Sequence, residues 1–364
     1  MKTSISKLVR QNILKMKGYS SARDEYTGTA SIYLDANESP YGQFNRYPDP
    51  YQKELKSKIS NVKSIPSKNI FVGNGSDEAI DLLMRIFCNP STDNIISFTP
   101  GYGMYQVSAS IQDINNISLP LNEKFQIDRE ILQPYLDDIS IKIIFICSPN
   151  NPTGNLINKE DIDWILDSFN GIVVIDEAYI DFANTVSWIS QVNNYERLVV
   201  LQTMSKAWGL AAARVGMAYA DEDIISLFNK VKPPYNVSNL NQKAAVAALT
   251  NKKVNRIKVE ATISERKRLK KEILKLPNVK KIFPSEANFL FMEVDDADKI
   301  YLDLINQKII VRNQTNKVKD CLRISIGTPE ENNRLIEILK SINDPSLQLT
   351  EYGLNSTPDL INRH

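Results

Sequence analysis

"TMSKAWGLAAARVG", residues 203–216, follows directly on the apolar run Leu198-Val199-Val200-Leu201. That run reads as a strand buried on both faces, as in the middle of a parallel sheet. Lys206 and Arg214 therefore stand just past a buried strand, where a charge is costly unless something offsets it. The pattern predicts a dry place for Lys206. A lysine held there has a lowered pKa and becomes a nucleophile at neutral pH. Ser205 and Arg214 suit a phosphate. A structural ion pair between Lys206 and Asp176 would account for the same residues without chemistry.

The region from about 68 to 220 repeats this arrangement. Segments 70–72, 95–98, 143–147, 172–175, 199–201 and 215–220 are near-continuously apolar and read as strands. Between the first two, Ile80, Leu83, Met84 and Phe87 keep the spacing of a helix packed on a sheet. The expected class is α/β with a mostly parallel sheet. Ligands of such sheets bind beyond the carboxyl ends of the strands.

The strand ends carry a set of polar groups. After 70–72 comes Gly73-Asn74-Gly75-Ser76-Asp77-Glu78, where glycines admit a ligand to the backbone and a helix N-terminus offers free N–H groups. After 95–98 comes Pro100-Gly101-Tyr102-Gly103, an aromatic that can stack on a planar ligand. After 143–147, Asn150 and Asn151 are held between Pro149 and Pro152 in a stiff loop that can aim an amide. After 172–175 comes Asp176-Glu177-Ala178-Tyr179, and a carboxylate at the end of so apolar a strand requires a partner, expected to be a cation. Each feature alone is also an ordinary turn, cap, packing tyrosine or ion pair. Together they form one array that fits pyridoxal 5′-phosphate, whose aldehyde takes a lysine and whose protonated ring nitrogen takes a carboxylate.

The bulk composition narrows the alternatives. The chain has 364 residues, with 44 Lys+Arg against 43 Asp+Glu, so nothing predicts binding to nucleic acid or an anionic membrane. No apolar run approaches the roughly 20 residues of a membrane helix, and the basic N-terminus lacks the apolar region of a secretory signal. Cys88, Cys147 and Cys321 are scattered and odd in number, which suits a reducing cytoplasm better than a disulfide framework. The single histidine is His364, so histidine-based catalysis and histidine-ligated metal are effectively excluded.

The last third has a different pattern. A charged helix covers 258–275, followed by strand-like 289–294, a helix near 297–306, and strands at 309–311 and 322–326. Thr328-Pro329-Glu330-Glu331 then forms a capping box with proline at the first helical position, ahead of Leu335, Ile338, Leu339 and Ile342. The expected organisation is an N-terminal arm (1–29), a large domain (30–250), a smaller α+β domain (251–343) and a polar tail (344–364).

The chain resembles the fold-type I aminotransferases, and within them the histidinol-phosphate aminotransferases. The stretches that carry this are "YSSARDEY" (19–26), "LDANESPYG" (34–42), "RYPDP" (46–50), "GNGSDEAID" (73–81), "PGYGMY" (100–105), "SPNNPTGN" (148–155), "VVIDEAYIDF" (173–182), residues 203–216, and "LRISIGTPEEN" (322–332). The resemblance implies a homodimer with an α/β/α large domain and pyridoxal 5′-phosphate as cofactor. It implies that Lys206 carries the cofactor as a Schiff base, that Asp176 pairs with the ring nitrogen, and that Asn151 and Tyr179 bond the ring oxygen. Tyr102 would stack on the ring. Ser76, Asp77, Glu78, Ser205 and Arg214 would surround the cofactor phosphate, with Tyr47 reaching in from the neighbouring subunit. Arg323 would grip a substrate carboxylate, and Arg312 with Arg323 the phosphate of L-histidinol phosphate, with Tyr19 and Asn37 completing that pocket. "SPYG" stands where "NPYG" is more usual. Other readings share this machinery: an aromatic or broad-specificity aminotransferase, a lyase like threonine-phosphate decarboxylase, or a non-catalytic cofactor-binding sensor.

Overall fold

The computed structural model describes residues 4–20, 22–26, 28 and 30–343; the polar stretch 344–364, with His364, lies outside the described residues. The larger sheet contains β1 (Ile70–Asn74), β2 (Asn94–Thr99), β3 (Asn115–Pro120), β4 (Ile141–Cys147), β5 (Ile172–Asp176), β6 (Leu198–Thr203) and β7 (Val215–Ala220). Its order is β1-β7-β6-β5-β4-β2-β3. The pairs β2–β3, β2–β4, β4–β5 and β5–β6 are parallel, while β7 runs antiparallel to both β6 and β1. The ends of β1, β2, β4, β5 and β6 and the start of β7 therefore lie along one edge, so Arg214 joins the strand ends although it precedes its strand.

Two hydrophobic layers explain why the strands are apolar throughout. Alternate residues enter opposite layers. Val173, Ile175, Leu198, Val200, Met217 and Tyr219 pack in one, with Leu55, Ile59, Ile162 and Ile165 from helices Lys53–Lys63 and Lys159–Ser168. Ile172, Val174, Val199, Leu201, Ala218 and Ala220 pack in the other, with Ile80, Leu83, Met84 and Phe87 from helix Ser76–Phe87. A helix-covered, predominantly parallel sheet is what the sequence predicted.

The smaller sheet holds β8 (Val279–Ile282), β9 (Phe289–Val294), β10 (Arg312–Asn313) and β11 (Cys321–Ser325), ordered β10-β11-β9-β8 and antiparallel throughout. Leu290, Met292, Leu322 and Ile324 form a core with Ile300, Leu304, Leu335, Ile338 and Leu339 from helices Ala297–Asn306 and Pro329–Asn343. The capping box is formed: Thr328 N donates to Glu331 Oε2 at 2.7 Å, and Glu331 N to Thr328 Oγ1 at 3.3 Å.

Three elements differ from expectation. Segment 309–311 is not a strand. Lys308 adopts φ +61° to close the preceding helix, and Ile309 N still bonds back to Leu304 O, so pairing with β11 starts only at Arg312. Strands β3 and β8 escaped the reading because both are sheet edges, with sequences NNISLP and VKKI that lack a continuous apolar run.

Candidate active site

A cavity of about 590 Å³ opens where the large sheet's strand ends meet the small sheet. Its lining includes Ser76, Asp77, Tyr102, Asn151, Asp176, Tyr179, Ser205, Lys206, Arg214, Arg312 and Arg323, eleven residues singled out in the sequence.

Asp176, the last residue of β5, is 2% exposed. Tyr105 O–H donates to its Oδ2 at 2.8 Å, and Ala178 N–H to its Oδ1 at 3.1 Å. Burial pushes the carboxyl up to about 6 against the pull of these two donors, with Asp77 adding to the rise and Lys206 opposing it. The expected cationic partner is therefore a phenol and a backbone amide, because two well-aimed donors satisfy both oxygens of a buried carboxylate. Among the described residues no ion pair joins Asp176 to Lys206.

Lys206 lines the cavity wall, partly buried and exposed toward the cavity. It lies in the loop after β6, outside the layers that bury the strand itself. Its ammonium sits 5.6 Å from the centroid of the Tyr179 ring. Partial burial, then the positive charge of Arg323, lower its pKa. The loop is fixed: Met204 N bonds Val215 O, Leu210 N bonds Met204 O, and Trp208 Nε1 donates to Asp181 Oδ2 at 3.2 Å.

Gly75, with φ +83°, is the N-cap of helix Ser76–Phe87 and provides no side-chain cap, so Ser76 and Asp77 open the helix without a capping side chain. A Cβ on Gly75 would fall 2.5 Å from Arg214 Nη2, and one on Gly216 would fall 2.1 Å from Ser76 N. Arg214 Nη2 also lies 3.6 Å from Asp77 Oδ2, and Tyr102 O–H donates to Asp77 Oδ1 at 3.0 Å. This helix N-terminus, with Arg214 over it and Ser205 beside it, is chemically an anion site. Glu78 is not part of the cavity lining: its carboxylate accepts from Asn74 N at 2.5 Å and Asn236 Nδ2 at 2.9 Å, bracing the turn from behind.

Across the cavity, Arg312 and Arg323 face each other as a cross-strand pair of β10 and β11. Like charges directly opposite destabilise a sheet. Arg323 Nη1 donates to Asn151 Oδ1 at 2.5 Å. Lys317, in the turn between these strands, lines the same cavity and donates to Gly101 O at 2.7 Å. Among the described residues none of Arg312, Lys317 and Arg323 has a carboxylate within ion-pair distance.

Tyr19, Asn37 and Tyr47 do not reach this cavity in the single chain. All three are exposed, and Tyr47 stacks on Tyr235 with centroids 4.3 Å apart. Glu38 anchors their segment. Its carboxylate accepts from Arg46 Nη1 and Tyr47 N, both at 2.7 Å, and pairs with Arg23 Nη2 at 2.9 Å.

The sequence reading missed Tyr105 and Lys317. Tyr105 was passed over because Asp176 was given a cation rather than a neutral donor; the second tyrosine of "GYGMY" was the available signal. Lys317 lies in a polar turn with no motif, and only its position between two arginine-bearing strands marks it.

These residues suit pyridoxal 5′-phosphate. An anion cradle, a carboxylate whose oxygens are both fixed, a lysine of lowered pKa and an aromatic face line one cavity of sufficient size, with a separate cationic side for a substrate anion.

A family model described as aminotransferase class I and II matches residues 29–339. A protein of Cytophaga hutchinsonii called histidinol-phosphate aminotransferase is 47% identical over 348 residues, covering 94% of this chain and 100% of the relative. One of Bacteroides thetaiotaomicron with the same name is 47% identical, covering 93% and 99%. Among solved structures, the histidinol-phosphate aminotransferase of Clostridium acetobutylicum superimposes with a TM-score of 0.76 at 25% identity, covering 83% of this chain and 92% of that one. That of Sinorhizobium meliloti, solved in complex with pyridoxal-5′-phosphate, gives 0.75 at 20% identity, covering 84% and 90%, and shows likeness of fold. The chain belongs to the class I and II aminotransferases and, within them, to the histidinol-phosphate aminotransferase family.

Proposed function

We propose that this chain is a pyridoxal-phosphate-dependent aminotransferase that moves an amino group between L-histidinol phosphate and 2-oxoglutarate. The carrying observation is one cavity that has Lys206, Asp176 and an anion cradle on one side and, on the other, three cations with no carboxylate in ion-pair distance among the described residues. When bound, the cofactor supplies an aldehyde that condenses with amines and a protonated ring that takes up the electron pair of a broken C–H bond.

The chain's own residues do the rest. Ser76 and Asp77 offer backbone N–H groups to the cofactor phosphate, Ser205 a hydroxyl and Arg214 a guanidinium. Tyr47 of the partner subunit completes that cradle, which makes a homodimer part of the reading. Asp176 would pair its negative charge with the ring nitrogen. Asn151 and Tyr179 offer an amide and a phenol to the ring oxygen, and Tyr102 a ring face. Lys206 Nζ would hold the cofactor and, as a free amine, would move the proton at the substrate carbon; its lowered pKa raises the neutral fraction this requires. Arg312 and Lys317 take the substrate phosphate together with Arg323, which alone meets the carboxylate of 2-oxoglutarate. Tyr19 and Asn37 close the pocket in the dimer.

The separate core under the small sheet supports a domain boundary near residue 250. The cysteines are free thiols, which supports a reducing compartment, and we place the enzyme in the cytoplasm. Among the described residues no helix is long and apolar enough to cross a membrane.

The test is substrate choice. Glutamate formation from 2-oxoglutarate is compared for L-histidinol phosphate, L-histidinol and L-phenylalanine. A kcat/KM highest for the phosphorylated amine by at least two orders of magnitude is expected, since three cations face its phosphate. Equal use of L-phenylalanine, or release of carbon dioxide from an amino-acid phosphate without 2-oxoglutarate, would overturn the assignment.

A further inference from the structure

Among the described residues neither Lys206 nor an arginine bonds Asp176, yet its role in the proposed reaction requires a negative charge. A carboxylate so deeply buried stays ionised only if donors replace water. Tyr105 provides one, and the fold holds it rigidly. Tyr105 is 2% exposed, and its ring stacks on Phe145 of β4 with centroids 4.7 Å apart. It also makes a T-shaped contact with the Tyr102 ring, centroids 5.5 Å apart. Buried and in contact with both rings, the phenol is held toward Asp176. Burial and the Asp176 charge push its pKa far up, so it keeps its proton and donates it in the hydrogen bond. The other titratable groups acting on Asp176 and Tyr105 are Asp77, Lys206, Cys147, Tyr102 and Tyr179.

We propose that Tyr105 is a positioning residue, whose hydroxyl fixes Asp176 Oδ2 and holds that carboxyl ionised, so that Asp176 keeps the ring of the bound cofactor protonated. This rests on the cofactor reading above. Tyr105 touches neither cofactor nor substrate in this role; it acts through Asp176. A hydroxyl that merely satisfies its own burial would stabilise the chain equally at every pH, whereas a donor to Asp176 matters only where the carboxyl is ionised.

Tyr105→Phe keeps the ring and both aromatic contacts and removes one oxygen. The first measurement uses the cofactor-free protein. Losing the donor raises the folded pKa of Asp176 further, so the stability loss must be small at pH 4 and grow as pH passes about 6, where the wild-type carboxyl ionises. A hydrogen bond to a charged group is worth about 1.5–3 kcal/mol, so the unfolding constant is expected to rise about ten- to a hundred-fold more at pH 8 than at pH 4. In an Asp176→Asn background this pH dependence disappears, because no carboxyl remains to ionise. The second measurement uses protein loaded with ring-¹⁵N-labelled pyridoxal phosphate. The nitrogen signal is expected to move from the protonated toward the unprotonated position in Tyr105→Phe, with kcat falling about ten- to a hundred-fold by the same arithmetic and KM for the amine little changed. A pH-independent stability loss, or an unmoved nitrogen signal, would overturn the proposal. Failure of the wild-type chain to bind pyridoxal phosphate would overturn the cofactor reading and this proposal with it. That outcome is separable because it is seen on the unaltered protein.

Discussion

Lys206 and Asp176, given separate roles in the proposed reaction, differ in environment. Lys206 lies on an accessible wall and its amine is tuned by partial burial and by Arg323; Asp176 is sealed in and tuned by burial against two donors. Lys206→Ala removes the amine proposed to attack while leaving the cradle, so it is expected to bind pyridoxal phosphate and to show no turnover without added amine; assays with and without a small primary amine check this. Asp176→Asn is expected to stabilise the cofactor-free protein at neutral pH. The carboxyl's rise from 3.8 to about 6 means that the folded state binds its proton more tightly than the unfolded state. Stability is therefore fully present below the unfolded pKa and is lost as pH rises toward the folded one. At about 1.4 kcal/mol per pH unit the cost of ionising Asp176 is roughly 3 kcal/mol. Denaturant melts should show the variant ahead by up to that amount at pH 8 and level with wild type at pH 4. Glu177, similarly buried and also raised to about 6, is common to both proteins and cancels.

At the scale of elements, the site depends on backbones approaching one another. Gly216 in β7 lies against the N-terminus of helix Ser76–Phe87, where an added Cβ would meet Ser76 N at 2.1 Å and Gly75 C at 2.3 Å. Neither is a flexible side-chain tip, so Gly216→Ala must push the cradle away. The expected cost is roughly 1–3 kcal/mol of stability together with weakened retention of pyridoxal phosphate, read by melting and by cofactor titration. Thr328→Ala is the contrasting case: it breaks the capping box and should cost about 1 kcal/mol with kcat unchanged. The same elements show how far the sequence could be read. Buried strands β4, β5 and β6 announce themselves because both faces are apolar, and the polar loops after them were legible as a site for that reason. Strands β3 and β8 were silent because an edge needs only one apolar face. The lowered pKa of Lys206 was legible, but its exposure toward the cavity was not, because hydropathy describes the strand before it and says nothing of the cavity beyond. The motif marked Tyr105 as a candidate, but its partner was not legible, because the contact spans 71 positions in sequence.

For the whole molecule, the segment from Tyr19 to Tyr47 stands out. Tyr19, Ile32, Leu34, Tyr41, Phe44 and Tyr47 are all exposed in the single chain, with Leu34 at 92%. A concentration of large apolar side chains on one exposed segment marks an interface, and it accords with Tyr47 serving a neighbouring subunit. If so, the active site is incomplete without a second copy. Lys206→Ala and Tyr47→Ala proteins, each inactive or nearly so, are then expected to regain activity when unfolded together and refolded as a mixture. Sedimentation should give a dimer for each. Activity that never exceeds the sum of the parents would place both residues in a site built from one chain.

The central claim is that one cavity holds pyridoxal phosphate and accepts an amine bearing a phosphate. The most direct measurement is a single half-reaction. The purified, cofactor-loaded protein is mixed with L-histidinol phosphate alone, and the absorption of the cofactor's aldehyde form is followed. The account predicts rapid loss of that absorption and its return on adding 2-oxoglutarate. An unchanged spectrum with L-histidinol phosphate, together with conversion by an unphosphorylated amino acid, would contradict it.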